Sequence, residues 1–254
     1  MVKRFIITGD THGKVEDRVK SIKRVLNIVG DEETAVIILG DAGLNFYNQY
    51  SINSEISKKQ RLKQYGIMIY CVRGNHEERP ENLGYKVIYD ENVHGNVYVD
   101  AYNNSIRYFM DGGEYIINGH TVLTIGGAYS VDKYYRLMRA QNSGSAFTGW
   151  FEGEQLTEDE MKKIEAKVLG KSYDFVFTHT CPIDWEPVDL FLPTIDQSSV
   201  DKTMENWLNK IKSNIKWKIW CFGHYHADRI EAERVEQYYY SYSDMENIWK
   251  RWIG

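Results

Sequence analysis

Residues 2–13 of the chain, VKRFIITGDTHG, begin with apolar and β-branched residues and end in a polar turn. The apolar run predicts a buried β-strand, and the glycines on either side of the Asp-Thr-His triplet predict a tight turn where the strand ends. Asp10 and His12 therefore stand at the point where a strand leaves its sheet. This arrangement recurs along the chain and is the main guide to the fold.

Further polar motifs also follow or end apolar runs, and they are GDAG at 40–43, GNHE at 74–77, THT around His179 and GHYH at 223–226. With the first motif they contain five of the seven histidines, two aspartates and an asparagine. In an open α/β sheet, side chains at the carboxyl ends of parallel strands meet at one edge. The sequence therefore predicts one polar cluster assembled from five distant segments.

Strand and helix signals alternate in the first third of the chain, which predicts parallel strands with helical crossovers and an α/β fold. Short runs separated by Gly, Asn and Asp between Tyr85 and Ala128 predict antiparallel hairpins. Residues 129–153 are irregular and polar and predict a long loop. A final hairpin is expected over residues 230–243. The predicted strands are Val2–Thr8, Ala35–Leu39, Ile67–Val72, Lys86–Tyr89, Asn96–Ala101, Ile106–Met110, Tyr115–Asn118, Thr121–Ile125, Tyr173–Thr178 and Trp217–Phe222.

Helices are predicted where apolar residues recur at helical spacing. A Thr157-x-x-Glu160 capping box supports the third of them, and Gly30 is expected to end the first. A serine at 198 or 199 is the expected cap of the fourth. The predicted helices are Lys14–Val29, Ile52–Tyr65, Glu154–Leu169, Ser199–Ile211 and Asp244–Ile253.

Composition limits the classes of function. The net charge is −5 with 26% charged residues, and no basic face is visible, which makes long nucleic acid an improbable partner. No apolar run approaches membrane-spanning length, so no membrane association is expected. Three cysteines without a CxxC pair or a secretory leader indicate reduced thiols and a cytoplasmic protein. We expect a single domain over residues 1–254, and the oligomeric state is left open.

The motif side chains are those that hold divalent cations. Carboxylates bridge cations, imidazoles suit borderline ions, and a neutral amide adds a ligand without charge. Two cations about 3.5–4 Å apart can hold a bridging hydroxide and polarise phosphoryl oxygens. The cluster therefore predicts a binuclear site for phosphoester hydrolysis, with manganese favoured and Fe, Zn, Ni or Co also accepted.

The order of these motifs resembles the consensus of the calcineurin-like metallophosphoesterase superfamily, which runs D-x-H, G-D, G-N-H-[ED], H and G-H-x-H. The resemblance extends from Asp10 to His226. It implies a four-layer αββα sandwich of two mixed β-sheets flanked by helices. The segment Gly126-Gly-Ala-Tyr-Ser-Val-Asp-Lys is similar to one in small bacterial-type members of undefined specificity.

Matching the motifs residue by residue implies roles for the side chains. Asp41 would bridge the two ions, and His76 would act opposite them, oriented by a hydrogen bond with Asp10. Both Asp10 and His76 are thus expected to be catalytic. One ion would be bound by Asp10, His12 and His226, and the other by Asn75, His179 and His224.

The second motif departs from the phosphoprotein phosphatase branch, which continues as G-D-x-V-D-R-G with a phosphate-clamping arginine. Here Asp41 is followed by Ala-Gly-Leu-Asn-Phe-Tyr, which argues against a standard Ser/Thr phosphatase. Other side chains are therefore candidates for substrate binding. These candidates are Arg73, Lys133, Arg136 and Tyr129, with Arg139, Ser130 and Trp150 as further residues near the cleft.

The leading hypothesis is a metal-dependent hydrolase of phosphomonoesters or small phosphodiesters, with a small phosphoester or a phosphopeptide as substrate. Phosphoprotein dephosphorylation and nucleotide or cyclic-nucleotide hydrolysis are the alternatives within that class. A metal-binding scaffold without catalysis is the rival outside it. An open cleft would favour phosphopeptides, and a pocket covered by residues 129–151 would favour small molecules.

Overall fold

A computed structural model of the protein describes residues 1–28, 33–46, 52–191, 193 and 195–254. The predicted end of the first helix at Val29 and Gly30 lies outside these residues. Within them, the strands form one seven-stranded and one six-stranded sheet.

The seven-stranded sheet has the strand order β13-β1-β2-β3-β6-β5-β4. The pairs β1–β2, β2–β3 and β3–β6 are parallel, and the remaining pairs are antiparallel. Its strands are β1 (Arg4–Thr8), β2 (Thr34–Leu39), β3 (Met68–Val72), β4 (Lys86–Asp90), β5 (Gly95–Val99), β6 (Ile106–Phe109) and β13 (Tyr242–Asp244).

The six-stranded sheet has the order β11-β12-β10-β9-β8-β7. Here β8–β9, β9–β10 and β10–β12 are parallel, whereas β7–β8 and β11–β12 are antiparallel. Its strands are β7 (Gly113–Ile117), β8 (His120–Ile125), β9 (Ser172–Thr178), β10 (Lys216–Phe222), β11 (Arg229–Ala232) and β12 (Val235–Gln237).

Alternation of side chains along each central strand supplies two apolar faces. In β1, Phe5 and Ile7 enter a cluster shared by both sheets, whereas Ile6 enters a cluster on the outer face. In β9, Phe175 joins the shared cluster and Val176 joins the outer cluster of the second sheet. The two sheets therefore pack face to face.

Helices cover the outer faces. The first sheet is covered by α1 (Val15–Val25) with α2 (Ile52–Leu62), and the second by α4 (Glu158–Val168) and α5 (Thr203–Asn214). The terminal helix α6 (Met245–Trp252) contributes to the shared core. This arrangement confirms the predicted α/β class with two mixed sheets flanked by helices.

Two features of the middle of the chain differ from the prediction. The strands β6 and β8 do belong to hairpins, but each also pairs in parallel with β3 or β9. The predicted loop over 129–153 is wrong because it contains α3 (Lys133–Ser143). This helix buries only Ala140, so its sequence lacks the apolar periodicity that reveals a helix.

The predicted N-terminal caps of two helices had different outcomes. Thr157 and Glu160 form the predicted capping box at the start of α4. The serine cap predicted for α5 is wrong, since Ser198 and Ser199 lie in a separate helical turn capped by Asp196. The final hairpin is correct for β11 and β12, but β13 crosses to the other sheet and pairs with β1.

The described part of the chain holds no helix with the length and apolar character that a bilayer crossing requires.

Candidate metal centre

Sharp turns follow β1, β2 and β10, and they aim the motif side chains at one place. His12, Asp41, His224 and His226 have positive φ angles of 43°, 45°, 68° and 54°. Non-glycine residues rarely adopt this conformation, and where they do the strain is commonly stored at functional sites. In the GHYH motif, the two positive φ angles let both histidines turn toward the same cluster.

Hydrogen bonds between loops fix the first two motifs relative to each other. The backbone N–H groups of Thr11 and His12 both donate to the carbonyl oxygen of Asp41, at 3.1 and 2.8 Å. The backbone of Gly74 packs directly against Asp41. This contact requires glycine, because a β-carbon on Gly74 would lie 1.9 Å from the Asp41 Oδ1 atom. The glycines of these motifs therefore let backbone pack directly against the carboxylates.

Three side chains from two distant loops converge at the exposed end of the centre. The Nε2 atoms of His12 and His226 lie 2.8 Å apart, and the Asp10 Oδ2 atom lies 3.7 Å from the first and 3.5 Å from the second. Asp10 is buried, whereas both imidazoles reach solvent. This group has the composition of the predicted first ligand set.

Asn75 and His179 form the buried end of the centre. The His179 Nδ1 atom lies 2.9 Å from the Leu39 carbonyl oxygen, which can only accept, so this nitrogen carries the proton. The Asn75 amide donates to Ser130 Oγ at 2.8 Å. The Asn75 Oδ1 atom then faces His179 Nε2 at 2.8 Å, and with a neutral ring these are two acceptors directed at each other.

Asp41 lies between the two groups. Its Oδ2 atom is 3.9 Å from His12 Nδ1, and its Oδ1 atom is 3.8 Å from His179 Nε2. Burial alone would raise the pKa of Asp41, but the nearby rings of His179, His76 and His12 outweigh burial and lower it. The carboxylate is therefore ionised and spans both ends of the centre.

His224 and His226 have different surroundings although they are two residues apart. Burial lowers the pKa of His224 well below its usual value, which keeps that ring neutral, the form that binds a metal. The Asp10 carboxylate, whose Oδ2 atom lies 3.5 Å from His226 Nε2, raises the pKa of the half-exposed His226. The His226 ring also stacks on Tyr239, with centroids 4.7 Å apart and planes at 21°.

The side chains fit a divalent cation. Asp10 Oδ2 is buried and has no hydrogen-bond partner in the described part of the chain, although it faces two imidazole nitrogens. Acceptors that face one another without a shared proton are unfavourable, and a cation placed among them makes the arrangement favourable. Carboxylate, imidazole and amide donors suit manganese, iron, zinc, nickel and cobalt.

The predicted hydrogen bond between Asp10 and His76 is wrong. Among the described residues, the buried Nδ1 atom of His76 has no partner. Asp10 instead accepts the backbone N–H of His224 at 3.0 Å, and Asp41 accepts the backbone N–H of His76 at 2.8 Å. The His76 backbone is thus held by Asp41, the ring Nε2 atom lies 3.4 Å from Asn75 Nδ2, and burial lowers the pKa of the ring.

A cavity of about 740 Å³ opens over the centre. Of the predicted substrate-binding residues, Tyr129 and Arg136 line it, as does Ser130. Arg136 is also bonded to Asp132 at 2.7 Å, and Arg139 lines an adjoining cavity. Lys133 does not line the main cavity, because its Nζ atom lies over the Trp150 ring, 4.1 Å from the centroid.

Arg73 does not fit its predicted role. Its side chain is 3% exposed and lies outside the lining of the cavity. The guanidinium donates to Asp111 at 2.9 Å and to the carbonyl oxygens of Gly153, Glu154 and Gly126. All of these bonds hold the loops behind the centre together, so the role of Arg73 is structural.

Several lining residues escaped the sequence analysis. They come from α2, α5, the segment between β9 and α5, and the loops after β2 and β10, and they are Phe46, Lys58, Glu186, Phe191, Lys202, Glu205 and Tyr225. Only Tyr225 carried a signal, since it lies inside the GHYH motif. Phe46 lies three residues after the GDAG motif, and the remaining residues are outside the motifs and line the cavity through tertiary packing.

Among comparisons with known proteins, the match to a family model identifies the family of this chain. No curated protein matches the chain. A solved structure of a cold-active protein-tyrosine phosphatase of a psychrophilic Shewanella is similar at 11% identity and a TM-score of 0.30, over 95% of this chain and 72% of that one. The model of the calcineurin-like phosphoesterase family matches residues 3–228. The chain therefore belongs to the calcineurin-like phosphoesterase family and is a hydrolase of phosphoric esters.

Proposed function

We propose that the protein hydrolyses phosphomonoesters or small phosphodiesters at a binuclear centre. The observation that carries this proposal is the convergence of two groups of ligand atoms, each within 4.8 Å, one of Asp10, His12 and His226 and the other of Asp10, Asp41 and His179. Asp10, His12 and His226 would bind one ion, and Asn75, His179 and His224 the other. Asp41 would bridge them, because its two oxygens face the two groups separately.

When bound, two divalent cations lower the pKa of a water molecule and polarise the phosphoryl oxygens. The residues around them orient the ligands. Leu39 fixes the tautomer of His179 through its carbonyl oxygen, and Ser130 fixes the orientation of the Asn75 amide. Such outer partners commonly change metal affinity by about 10–100-fold when they are removed.

His76 is the proposed catalytic side chain opposite the ions. It lines the cavity with its ring centroid 5.9 Å from that of His12. From there it would stabilise charge on the phosphoryl oxygens or donate a proton to the departing oxygen. Asp10 would contribute as a ligand rather than through His76.

The proposed substrates follow from the size and lining of the cavity. The arginine clamp of phosphoprotein phosphatases is missing, and Arg136, Lys58 and Lys202 supply positive charge instead. Residues 129–132 and Arg136 form part of the lining, which favours a small phosphoester over a phosphopeptide. The larger substrate remains the alternative.

The test compares hydrolysis of p-nitrophenyl phosphate and its bis ester after addition of Mn²⁺. Chelation should abolish turnover, and Mn²⁺ should restore it. His76→Ala should lower kcat about 10²–10⁴-fold while elemental analysis still finds two ions per chain. Turnover at the wild-type rate would remove the role of His76, and a single bound ion would refute the binuclear centre.

His94→Ala is the matched control. His94 lies in the exposed turn between β4 and β5, outside the lining of the cavity. This variant should retain both activity and metal content.

We also propose one domain over residues 1–254 and a cytoplasmic location. The apolar cluster shared by both sheets supports the first proposal. The second is supported by Cys71, Cys181 and Cys221, which are all free and buried. Limited proteolysis and cell fractionation test the two proposals separately.

A further inference from the structure

The cavity is larger than a phosphate group and its ligands require. Its volume of about 740 Å³ lies in the range of about 300–1,000 Å³ that is usual for sites that enclose whole small molecules. One part is formed by the metal-centre side chains. The other part, here called the annex, is formed by Glu186, Phe191, Val200, Lys202, Glu205 and Tyr225.

The annex has an aromatic wall next to the metal centre. The rings of Phe191 and Tyr225 are stacked, with centroids 6.2 Å apart and planes at 27°. Tyr225 also contacts the ring of His224, with centroids 4.8 Å apart. Because Tyr225 lies between two proposed ligands in the chain, this wall begins at the metal centre and extends away from it.

Polar contacts hold the wall in place. Lys202 donates to Glu186 at 2.7 Å, and its Nζ atom lies 4.7 Å from the Phe191 centroid. The Tyr225 hydroxyl donates to Glu186 at 3.2 Å. The two rings are therefore fixed before any ligand arrives, which lowers the entropic cost of binding a flat group.

Glu205 supplies an acceptor without a donor. The residue is 3% exposed, and its Oε1 atom accepts the Thr180 hydroxyl at 2.7 Å. The Oε2 atom is buried and has no hydrogen-bond partner among the residues that the structure describes. Burial raises the pKa of Glu205 to about 7. A buried acceptor left without a donor is costly, so an N–H group of a ligand would be favoured there.

We propose that the annex binds the leaving group of the substrate and that this group is a nucleoside. The base would pack on the wall of Phe191 and Tyr225 and donate an N–H to Glu205. A sugar or glycerol lacks the aromatic face, and a phenyl ring lacks the N–H. This inference rests on the proposed function: water attacks phosphorus, the P–O ester bond breaks, and the nucleoside leaves with the proton.

The first experiment measures kcat/KM for a nucleoside 5′-monophosphate and for glycerol phosphate. Phe191→Ala should lower the ratio of the two values about tenfold, because base stacking on an aromatic ring is lost. Glu205→Gln keeps an acceptor for Thr180 and should lower the same ratio about tenfold, while the ratio of p-nitrophenyl phosphate to glycerol phosphate stays constant.

Val188→Ala is the matched control for Phe191→Ala. Val188 belongs to the same segment, is 68% exposed and lies outside the cavity lining. In this variant, the ratio of kcat/KM for the nucleotide to kcat/KM for glycerol phosphate should equal that of the wild type. If the Phe191 and Glu205 variants also keep the wild-type ratio, or if a phosphotyrosine peptide is preferred over the nucleotide, the inference is overturned.

The second experiment separates this inference from the proposed function. Calorimetry on metal-free protein should detect adenosine or guanosine but not glycerol, and Phe191→Ala should weaken that binding. Nucleoside binding without hydrolysis of any phosphoester would support the annex and refute the proposed function. Hydrolysis without nucleoside binding would support the proposed function and refute the role of the annex.

Discussion

At the scale of single residues, the centre depends on backbone conformations that most side chains avoid. Of the eight non-glycine residues with positive φ among those described, four carry proposed ligands: His12, Asp41, His224 and His226. Glycines beside them allow contact distances that a β-carbon would prevent. The position of each ligand side chain therefore depends on the glycine beside it.

Gly74→Ala tests this contact. The added β-carbon would lie 1.9 Å from Asp41 Oδ1 and 2.2 Å from the Asp41 backbone nitrogen, so the carboxylate must move. We expect metal affinity to fall about 10–100-fold, as after loss of a partner that orients a ligand. Titration with Mn²⁺ followed by calorimetry measures the change.

Gly84→Ala is the control at this scale. Gly84 has a φ of +67°, and no atom of the described residues lies within 4 Å of the position of its β-carbon. It should lose about 1 kcal/mol of unfolding free energy from backbone strain and keep full metal affinity. Equal metal affinity in both glycine variants would show that Gly74 has no steric role.

At the scale of elements, a buried ion pair ties α2 to the turn between β5 and β6. Lys59 and Asp100 are 2.7 Å apart, with side chains 3% and 0% exposed. Lys59 also donates to Asn45 Oδ1 at 2.9 Å. The same network therefore anchors the loop that begins with Asp41.

Asp100→Asn should lower the free energy of unfolding by about 3–5 kcal/mol, because it leaves the Lys59 charge buried without a counterion. Denaturant titration measures this loss. Glu158→Gln removes the same charge from an exposed pair with Lys162, at 83% and 63% exposure, and should leave the free energy of unfolding nearly unchanged. Similar losses in both variants would contradict the role of burial.

The capping box of α4 predicts a pH dependence. Partial burial alone would raise the pKa of Glu160, but hydrogen bonds from Arg79 and Thr157 lower it to about 2. A lowered pKa stabilises the folded state above the unfolded pKa of about 4.3, and this stability is lost as pH falls toward about 2.

Glu160→Gln isolates that charge, since glutamine can retain the capping geometry. The difference in unfolding free energy between wild type and variant should be constant above about pH 5 and vanish near pH 2. Denaturant titrations across this range measure it. A difference that grows on acidification would have the wrong sign.

At the scale of the whole molecule, the thiols report on the packing of the sandwich. Cys71, Cys181 and Cys221 are each fully buried, and burial raises all three pKa values well above the usual range. A thiol reagent should therefore react only as the protein unfolds, at a rate that follows denaturant concentration. Rapid labelling of one thiol under native conditions would reveal local opening around that strand.

Local sequence determined much of this molecule. Apolar alternation identifies the central strands, and glycine-bounded polar motifs mark their ends, because both signals arise within a few residues. Since parallel strands end at one sheet edge, placing Asp10, Asp41, Asn75, His179 and His224 together required no further information. Helix α3 escaped prediction because it buries almost nothing.

Tertiary structure alone decided how the remaining side chains are used. Arg73 lies beside a ligand motif, yet its guanidinium donates to carbonyl groups 53 to 81 residues away in the chain. Glu205 and Phe191 enter the cavity because α5 and its preceding segment pack beside β10. Side-chain direction and partners depend on contacts between segments distant in the chain, and no local pattern encodes those contacts.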